Sequence, residues 1–256
     1  MPSVVPYRAL VLLAGFVAVG AGARAQTRWT VDPRASLAWW QVNPHLNHLW
    51  ATTCPEERSW RPGEGRSAGW FIGQLRAPKQ GYAAVSDTTI VPLYPRSKAL
   101  PVCTEAVEGE VVVADTVGWR GVRGEVVVRA EALITGEERR DAFAHRAILQ
   151  TDRYPEIRFT IDSVVNVTRE ADTLRATAVG VFRLRELPTP MTAAVRAWPE
   201  ASGLRVLAKF RVPAPSLTRD FGLSKFALGL GVTTRIWYDL FMGVDLVLRP
   251  QAPAGN

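Results

Sequence analysis

The sequence predicts an all-β protein, built as an antiparallel barrel or a sandwich. Several long stretches between residues 125 and 248 alternate apolar and polar side chains, which is typical of antiparallel strands with one face in a core and one in water. Only Glu137 to Leu149 combines helical composition with a lack of Gly and Pro. The chain has 256 residues, of which 47% are hydrophobic and 21% charged, and this balance excludes a disordered or polytopic membrane protein.

The first 25 residues have the pattern of a secretory signal peptide. Arg8 precedes an uncharged apolar run from Ala9 to Ala21, and Ala23-Arg24-Ala25 has the small-x-small form of a cleavage site. The run is shorter than the ~20 residues that span a bilayer. We therefore expect a mature chain that starts at Gln26 and is exported, either to a periplasm or out of the cell. An uncleaved N-terminal anchor is the alternative.

Two short strands are predicted early in the mature chain, at Trp29 to Val31 and Ser36 to Val42. Residues 44–104 differ from the rest because Pro and Gly recur throughout them. Within this segment only Trp70 to Leu75 and Thr88 to Leu93 suit short strands. We interpret residues 44–104 as a long irregular insertion.

Cys54 and Cys103 are the only cysteines in the sequence. Export to an oxidising compartment favours a disulfide between them. Such a bridge would close a loop of about 50 residues and stabilise the fold by roughly 4 kcal/mol. Two free buried thiols are the alternative.

The later segments predict long strands whose apolar faces are unusually rich in small residues. Small side chains on these faces leave space inside a barrel, unless neighbouring Trp, Phe and Leu side chains fill it, and the sequence leaves both outcomes open. The faces comprise Val126, Val128, Ala130 and Ala132; Ile157, Phe159 and Ile161; Leu174, Ala176, Ala178, Gly180, Phe182 and Leu184; Leu204, Val206, Ala208, Phe210 and Val212; and Ile236, Tyr238, Leu240, Met242, Val244, Leu246 and Leu248.

One helix is predicted between these strands. Thr135 followed by Glu138 fits a capping box, and the helix would run from Glu137 to Leu149. Tyr154-Pro155 then favours extended backbone and the start of the next strand.

The net charge of +7 comes from basic residues that are scattered along the chain. A nucleic-acid reader usually concentrates them in a patch, so we expect no nucleic-acid partner. The charge suits solubility or peripheral contact with an acidic membrane surface, and it leaves the oligomeric state open.

A motif between Val128 and Phe159 resembles the YceI-like family of exported, lipocalin-like polyisoprenoid-binding proteins. In that family a strand leads to a Thr-Gly acidic turn, an Arg-Asp pair, a short helical segment and Tyr-Pro-x-Ile-x-Phe. The corresponding residues here are Thr135-Gly136, Arg140-Asp141 and Tyr154-Pro155 with Ile157 and Phe159.

Two weaker matches follow in the same order. Trp29 to Asp32 is similar to the family's opening strand, and Phe210 to Gly222 is similar to a late strand with its Asp-Phe-Gly. The resemblance covers residues 28–43 and 105–249, so we assign residues 26–249 to one barrel domain and 250–256 to a disordered tail. Two features depart from the family: the length of the 44–104 insertion, and the sequence Arg185 to Pro190 in place of a Gly-Val-Thr-Arg turn.

The resemblance implies an eight-stranded antiparallel lipocalin-like barrel with one short helix. It also implies a ligand of isoprenoid-tailed or quinone-like type in the interior, no cofactor and no covalent catalysis. For each lining candidate, ordinary core packing is the alternative to ligand contact. The candidates are Phe159, Ile161, Ala178, Phe182, Leu184, Phe210, Phe221, Trp237 and Phe241.

Charged pairs and histidines have structural alternatives to a role in function. Arg140 could bind a ligand head group, or it could pair with Asp141 to hold the helix, and Arg219-Asp220 poses the same choice. His45 and His48 are three residues apart, but no third ligand stands out, so no metal site is predicted.

The sequence contains no Gly-x-Ser-x-Gly, His-Glu-x-x-His or Walker motif. Two other functions remain open beside the carrier. One is a ligand-free interaction module that uses the Trp-rich insertion 44–104, and the other is an enzyme acting on a lipid or quinone-like substrate.

Overall fold

The computed structural model describes residues 26–42, 49–54, 105–135, 138–201, 203–223, 225–227, 233–235 and 239–251. The expected signal peptide, the short strands at 70–75 and 88–93, His45, His48, Cys103 and Trp237 lie outside these residues. The strands in chain order are β1 (Thr27–Val31), β2 (Leu37–Val42), β3 (Leu49–Thr52), β4 (Val107–Val113), β5 (Arg123–Arg129), β6 (Glu156–Glu170), β7 (Thr173–Leu184), β8 (Leu187–Glu200), β9 (Gly203–Val212), β10 (Lys225–Ala227), β11 (Thr233–Arg235) and β12 (Leu240–Pro250).

Eight of these strands close into an antiparallel barrel, in the order β1-β4-β5-β6-β7-β8-β9-β12, and the pairing of β1 with β12 completes the ring. One edge of β12 pairs with β9 along residues 240–248. Its other edge pairs first with β2 and then with β1. The predicted eight-stranded barrel is therefore confirmed, with β2 and β3 as an extension beside β12.

The predicted helix is also present. An α-helix α1 (Glu138–Phe143) continues as a π-helical segment (Ala144–Leu149). Gln150 ends it in the left-handed conformation, with φ of 54°. Thr135 makes a different contact from the capping box, because its backbone N–H and its hydroxyl both donate to Asp141 Oδ1, at 2.8 and 2.6 Å.

Two elements were not predicted. β8 contains Pro188 and Pro190, and proline disfavours a central strand. However, β9 pairs with β8 only from Ala194 onward, so the proline stretch has a neighbouring strand on one side only. The prolines therefore occupy a stretch with a free edge, where a missing N–H is tolerated. A second helix, α2 (Ala214–Phe221), follows β9 in addition to the one short helix predicted. Gly222 ends α2 with φ of 64°.

The two ends of the barrel differ. At the helix end lie α1, α2 and the β7–β8 turn. At the opposite end, which we call the turn end, lie the β4–β5, β6–β7 and β8–β9 turns. No helix among the residues described above is long and apolar enough to cross a membrane.

A buried ion pair lies on the outer face of the barrel wall. Arg205 on β9 donates two hydrogen bonds to Asp245 on β12, at 2.8 and 2.5 Å, and these side chains are 0% and 1% exposed. The Arg205 guanidinium also lies 5.3 Å from the centroid of the Trp198 ring. Burial raises the pKa of the Asp245 carboxyl, and the hydrogen bond from Arg205 opposes that shift.

Candidate functional site

The interior of the barrel contains an apolar cavity with a volume of about 150 Å³. It forms where strand alternation points small side chains inward, so that facing walls do not meet. Several of these are alanines: Ala176, Ala178, Ala193, Ala197 and Ala208. Three small residues of the predicted apolar faces, Ala176, Ala178 and Ala208, therefore border an open space in the barrel.

Five predicted lining residues come together in this cavity: Phe159, Ile161, Ala178, Phe182 and Phe210. Their phenyl rings form one cluster, with centroids 4.9 Å apart for Phe182 and Phe210 and 5.8 Å apart for Phe159 and Phe210. Ala178 is 4% exposed and points inward. The structure thus places five of the nine lining candidates around a single apolar space.

The other candidates lie elsewhere. Phe221 packs edge-on behind Phe182, at 5.6 Å between centroids, and lines neither cavity. Phe241 alternates with the inward Met242 and therefore lies on the outer face, where Lys209 Nζ is 5.8 Å from its ring centroid. The structure does not bring these two phenylalanines to the cavity wall, in contrast to the prediction. Trp237 is outside the described residues.

A second cavity of about 60 Å³ lies at the helix end, beneath α1 and its π-helical extension. Two candidates, Leu184 and Arg140, line this second cavity. Leu133, Ile157 and Met242 line both cavities, so these three side chains form the partition between them. Leu133 is held from the helix as well, since His145 Nε2 lies 3.1 Å from its carbonyl oxygen.

Polar groups that line the second cavity are hydrogen-bonded to one another. Asp141 accepts both hydrogen bonds from Thr135, and Arg140 Nε donates to the Thr135 hydroxyl oxygen at 2.8 Å. This geometry joins α1 to the chain that leaves β5, which is the anchoring role considered for the Arg-Asp pair. The other pair, Arg219 and Asp220, is a contact between neighbours on the surface of α2, with Nε and Oδ1 2.6 Å apart.

The wall of the first cavity is nearly free of polar side chains. Arg158 is the one charged residue among its described lining, and its guanidinium is bonded to Glu125 and Glu156. The described lining holds no His, Asp, Glu or Cys, and no cluster of three metal-ligating side chains occurs in the described part of the chain. The arrangement can hold an apolar molecule but offers no acid–base pair in contact with it.

Trp119, Leu133 and Met242 line the cavity although none of them was among the lining candidates. Trp119 enters from the β4–β5 turn, so no strand alternation signals it. Met242 was on a predicted apolar face, and only its partition role was missed. Leu133 follows a 3-10 turn (Ala130–Ala132) that interrupts the alternation after β5.

Comparison with known proteins gives the following matches. The family model of the YceI-like domain matches residues 102–240, which is more than half of the chain. No curated protein matches it. Among solved structures, BcnA of Burkholderia cenocepacia aligns with a TM-score of 0.52 and 7% identity, covering 85% of this chain and 98% of that one.

Two further solved structures align less closely. One is a polyisoprenoid binding domain from Saccharophagus degradans implicated in plant cell wall breakdown, with a TM-score of 0.44, 11% identity and coverage of 88% of this chain and 98% of that one. The other is the YceI protein of Campylobacter jejuni, with a TM-score of 0.41, 11% identity and coverage of 64% of this chain and 94% of that one. At such low identity, the likeness to BcnA shows a shared fold alone.

Proposed function

This chain belongs to the YceI-like family, and from that premise we propose that it binds the apolar tail of an isoprenoid or similar amphiphile inside the barrel, without covalent catalysis. The observation that carries the proposal is the apolar cavity in a closed eight-stranded ring. A filled interior would instead have favoured the ligand-free interaction module. The insertion on which that alternative depends, 44–104, lies largely outside the described residues.

The energetics favour a hydrocarbon occupant. Each CH₂ group moved from water into such a wall contributes about 0.8 kcal/mol. An apolar cavity of about 150 Å³ holds a molecule the size of benzene. The present space therefore suits one ring or a short branched segment, and a longer tail requires Leu133, Ile157 and Met242 to move so that the two cavities join.

The composition of the described cavity wall supports the proposal of binding without catalysis. General acid–base and nucleophilic catalysis need titratable or nucleophilic side chains within hydrogen-bond reach of the reacting atom. The described wall of the first cavity consists of hydrocarbon and indole groups, the thioether of Met242 and Arg158. These features support binding and release rather than turnover of the occupant.

We further propose that the protein acts after export, as a carrier or a store of its ligand in the periplasm or outside the cell. The signal-like residues 1–25 and the cysteine pair support this localisation. Cys54 is fully buried, while Cys103 lies outside the described residues, so the disulfide stays a prediction. A basic surface would assist transient contact with acidic lipid.

Native mass spectrometry of the protein purified from the exported fraction tests the function. We expect a discrete hydrophobic adduct that organic extraction releases and identifies as an isoprenoid-type molecule. A clean mass that stays clean after incubation with isoprenoid alcohols would contradict the proposal.

Ala178→Trp provides the matched variant. An indole at this inward position fills most of the first cavity, so we expect a folded barrel that carries no adduct. Val179→Trp adds the same side chain at the next residue, which points outward on β7 and lines neither cavity. Loss of the adduct from both variants, or from neither, would contradict binding inside the barrel.

A further inference from the structure

The barrel wall contains a seam between β8 and β9 at the helix end. β8 pairs with β7 from Leu187 onward, but its pairing with β9 begins only at Ala194, opposite Lys209. Closer to the helix end, residues 187–193 of β8 and residues 210–212 of β9 are not paired with each other. We call this unpaired stretch the seam. Along it, the two neighbouring strands are not joined by a ladder of backbone hydrogen bonds.

Prolines keep the seam from closing. The β7–β8 turn has only two residues, so Leu187, which follows it, directs its backbone groups toward β7. Alternate residues of β8 face the other edge, and at the seam these include Pro188 and Pro190. Continuation of the β8–β9 register would place Pro190 opposite Pro213, which follows β9. Since proline has no N–H to donate, the ladder cannot extend to the end of these strands.

The first cavity extends to the inner side of the seam. Ala193 and Phe210 directly follow the last paired positions of β8 and β9 toward the helix end, and both side chains line this cavity. The Phe210 ring lies 4.9 Å from the Phe182 ring, centroid to centroid, on the same wall. A molecule in the cavity is therefore separated from the seam only by apolar side chains.

The helix α2 lies across the seam. It begins directly after β9, lies against β8 and reaches β7, where the Phe221 ring meets Phe182 edge-on at 5.6 Å. Two of its eight residues are buried, Leu217 and Phe221, and they lie one helical turn apart. Few buried apolar contacts are typical of elements that open at a lower free-energy cost than the rest of a fold. α2 can therefore move while the barrel strands stay paired.

We infer that α2 is the lid of a lateral portal, through which an apolar molecule enters and leaves the first cavity between β8 and β9. Opening separates Phe221 from Phe182 and exposes the seam, and it breaks no β8–β9 ladder because none is present there. Phe221 lines neither cavity, so the lid controls the rate of exchange and not the affinity. This inference rests on the proposed function in that the cavity must bind an apolar molecule.

The test uses fluorobenzene, which has the size that the first cavity holds, and fluorine NMR measures both its dissociation constant and its exchange rate. Phe221→Ala removes the contact between the lid and Phe182. We expect exchange to become about 10-fold faster or more, with the dissociation constant unchanged. Trp198→Ala is the matched control, because Trp198 is a buried aromatic residue that lines neither cavity and lies at the turn end of β8, away from the seam.

Gly222→Ala perturbs the lid more gently, so the test survives if Phe221→Ala fails to fold by circular dichroism. A Cβ at Gly222 meets no atom within 4 Å, but the φ of 64° is unfavourable for alanine. The closed lid is then less stable, and exchange should be about 5- to 30-fold faster.

The outcomes separate the two proposals. Failure of fluorobenzene to bind the wild-type protein would contradict the apolar binding site itself. Intact binding with an unchanged exchange rate in the lid variants, or an equal rise in the rate for Trp198→Ala, would refute the portal and leave the binding site in place.

Discussion

Replacement of Leu133 by Ala should lengthen the tail that the barrel prefers. Leu133 is 4% exposed and belongs to the partition between the cavities of about 150 and 60 Å³. Its truncation removes the largest part of that side chain and opens a path from the barrel interior to the space beneath α1. The cost in unfolding free energy should be about 3–5 kcal/mol, as for other buried leucines.

The gain in affinity follows from the additional hydrocarbon that the joined space can bury. Each further CH₂ is worth about 0.8 kcal/mol, or roughly fourfold in affinity. We compare geraniol, farnesol and geranylgeraniol, which differ by one isoprene unit each, by native mass spectrometry and calorimetry. The ratio of geranylgeraniol to farnesol affinity should rise roughly tenfold, which corresponds to about two further buried methylene groups.

Leu204→Ala is the control for this experiment. Leu204 is buried and lines the first cavity only, toward the turn end. It should lose a similar amount of stability, and its cavity should grow without joining the second one. If Leu133→Ala and Leu204→Ala shift the chain-length preference equally, or if neither shifts it, the partition does not limit the tail and the reasoning is refuted.

Two further predictions concern the polar contacts outside the first cavity. Asp245→Leu should lower the free energy of unfolding in urea by about 3–5 kcal/mol, because the buried Arg205 loses the carboxylate that accepts two of its hydrogen bonds. Adding Arg205→Met should recover most of that loss, and a double variant as unstable as the sum of the two single variants would contradict the coupling. Asp141→Ala removes both hydrogen bonds from Thr135 and should cost about 1–3 kcal/mol with farnesol affinity unchanged, whereas a selective loss of affinity would assign the Arg140–Asp141 network to the ligand head group.

Alternation predicted which side chains share a face on β6, β7 and β9, and the family resemblance supplied the barrel in which these faces point inward. Phe159, Ala178 and Phe210 lie on faces whose opposite sides carry Arg, Thr and Lys. When one face of a strand packs on a core and the other meets water, only one orientation of the strand buries its apolar side chains. The closing of the ring was accessible only through the family resemblance, since pairing of β1 with β12 joins residues at opposite ends of the chain.

Phe241 shows where alternation fails. Both faces of β12 are buried at this point: Met242 is 8% exposed on the inner side, and Phe241 is 1% exposed on the outer side. A strand covered on both faces reads as a continuous apolar run, and a period of two cannot then identify the inner face. Asp245 on the same outer face as Phe241 is the one polar residue in the run from Leu240 to Leu248, and its partner Arg205 became evident only from the register of β9 against β12.

Local conformation explains the remaining differences. The prolines of β8 are compatible with a strand because β9 does not pair with that stretch, and this is a property of the sheet rather than of the segment. The position of Trp119 in the cavity wall is harder to predict, because this residue has a left-handed φ that tryptophan rarely adopts. A turn sequence such as Thr116 to Arg120 does not encode which side chain will point into a barrel.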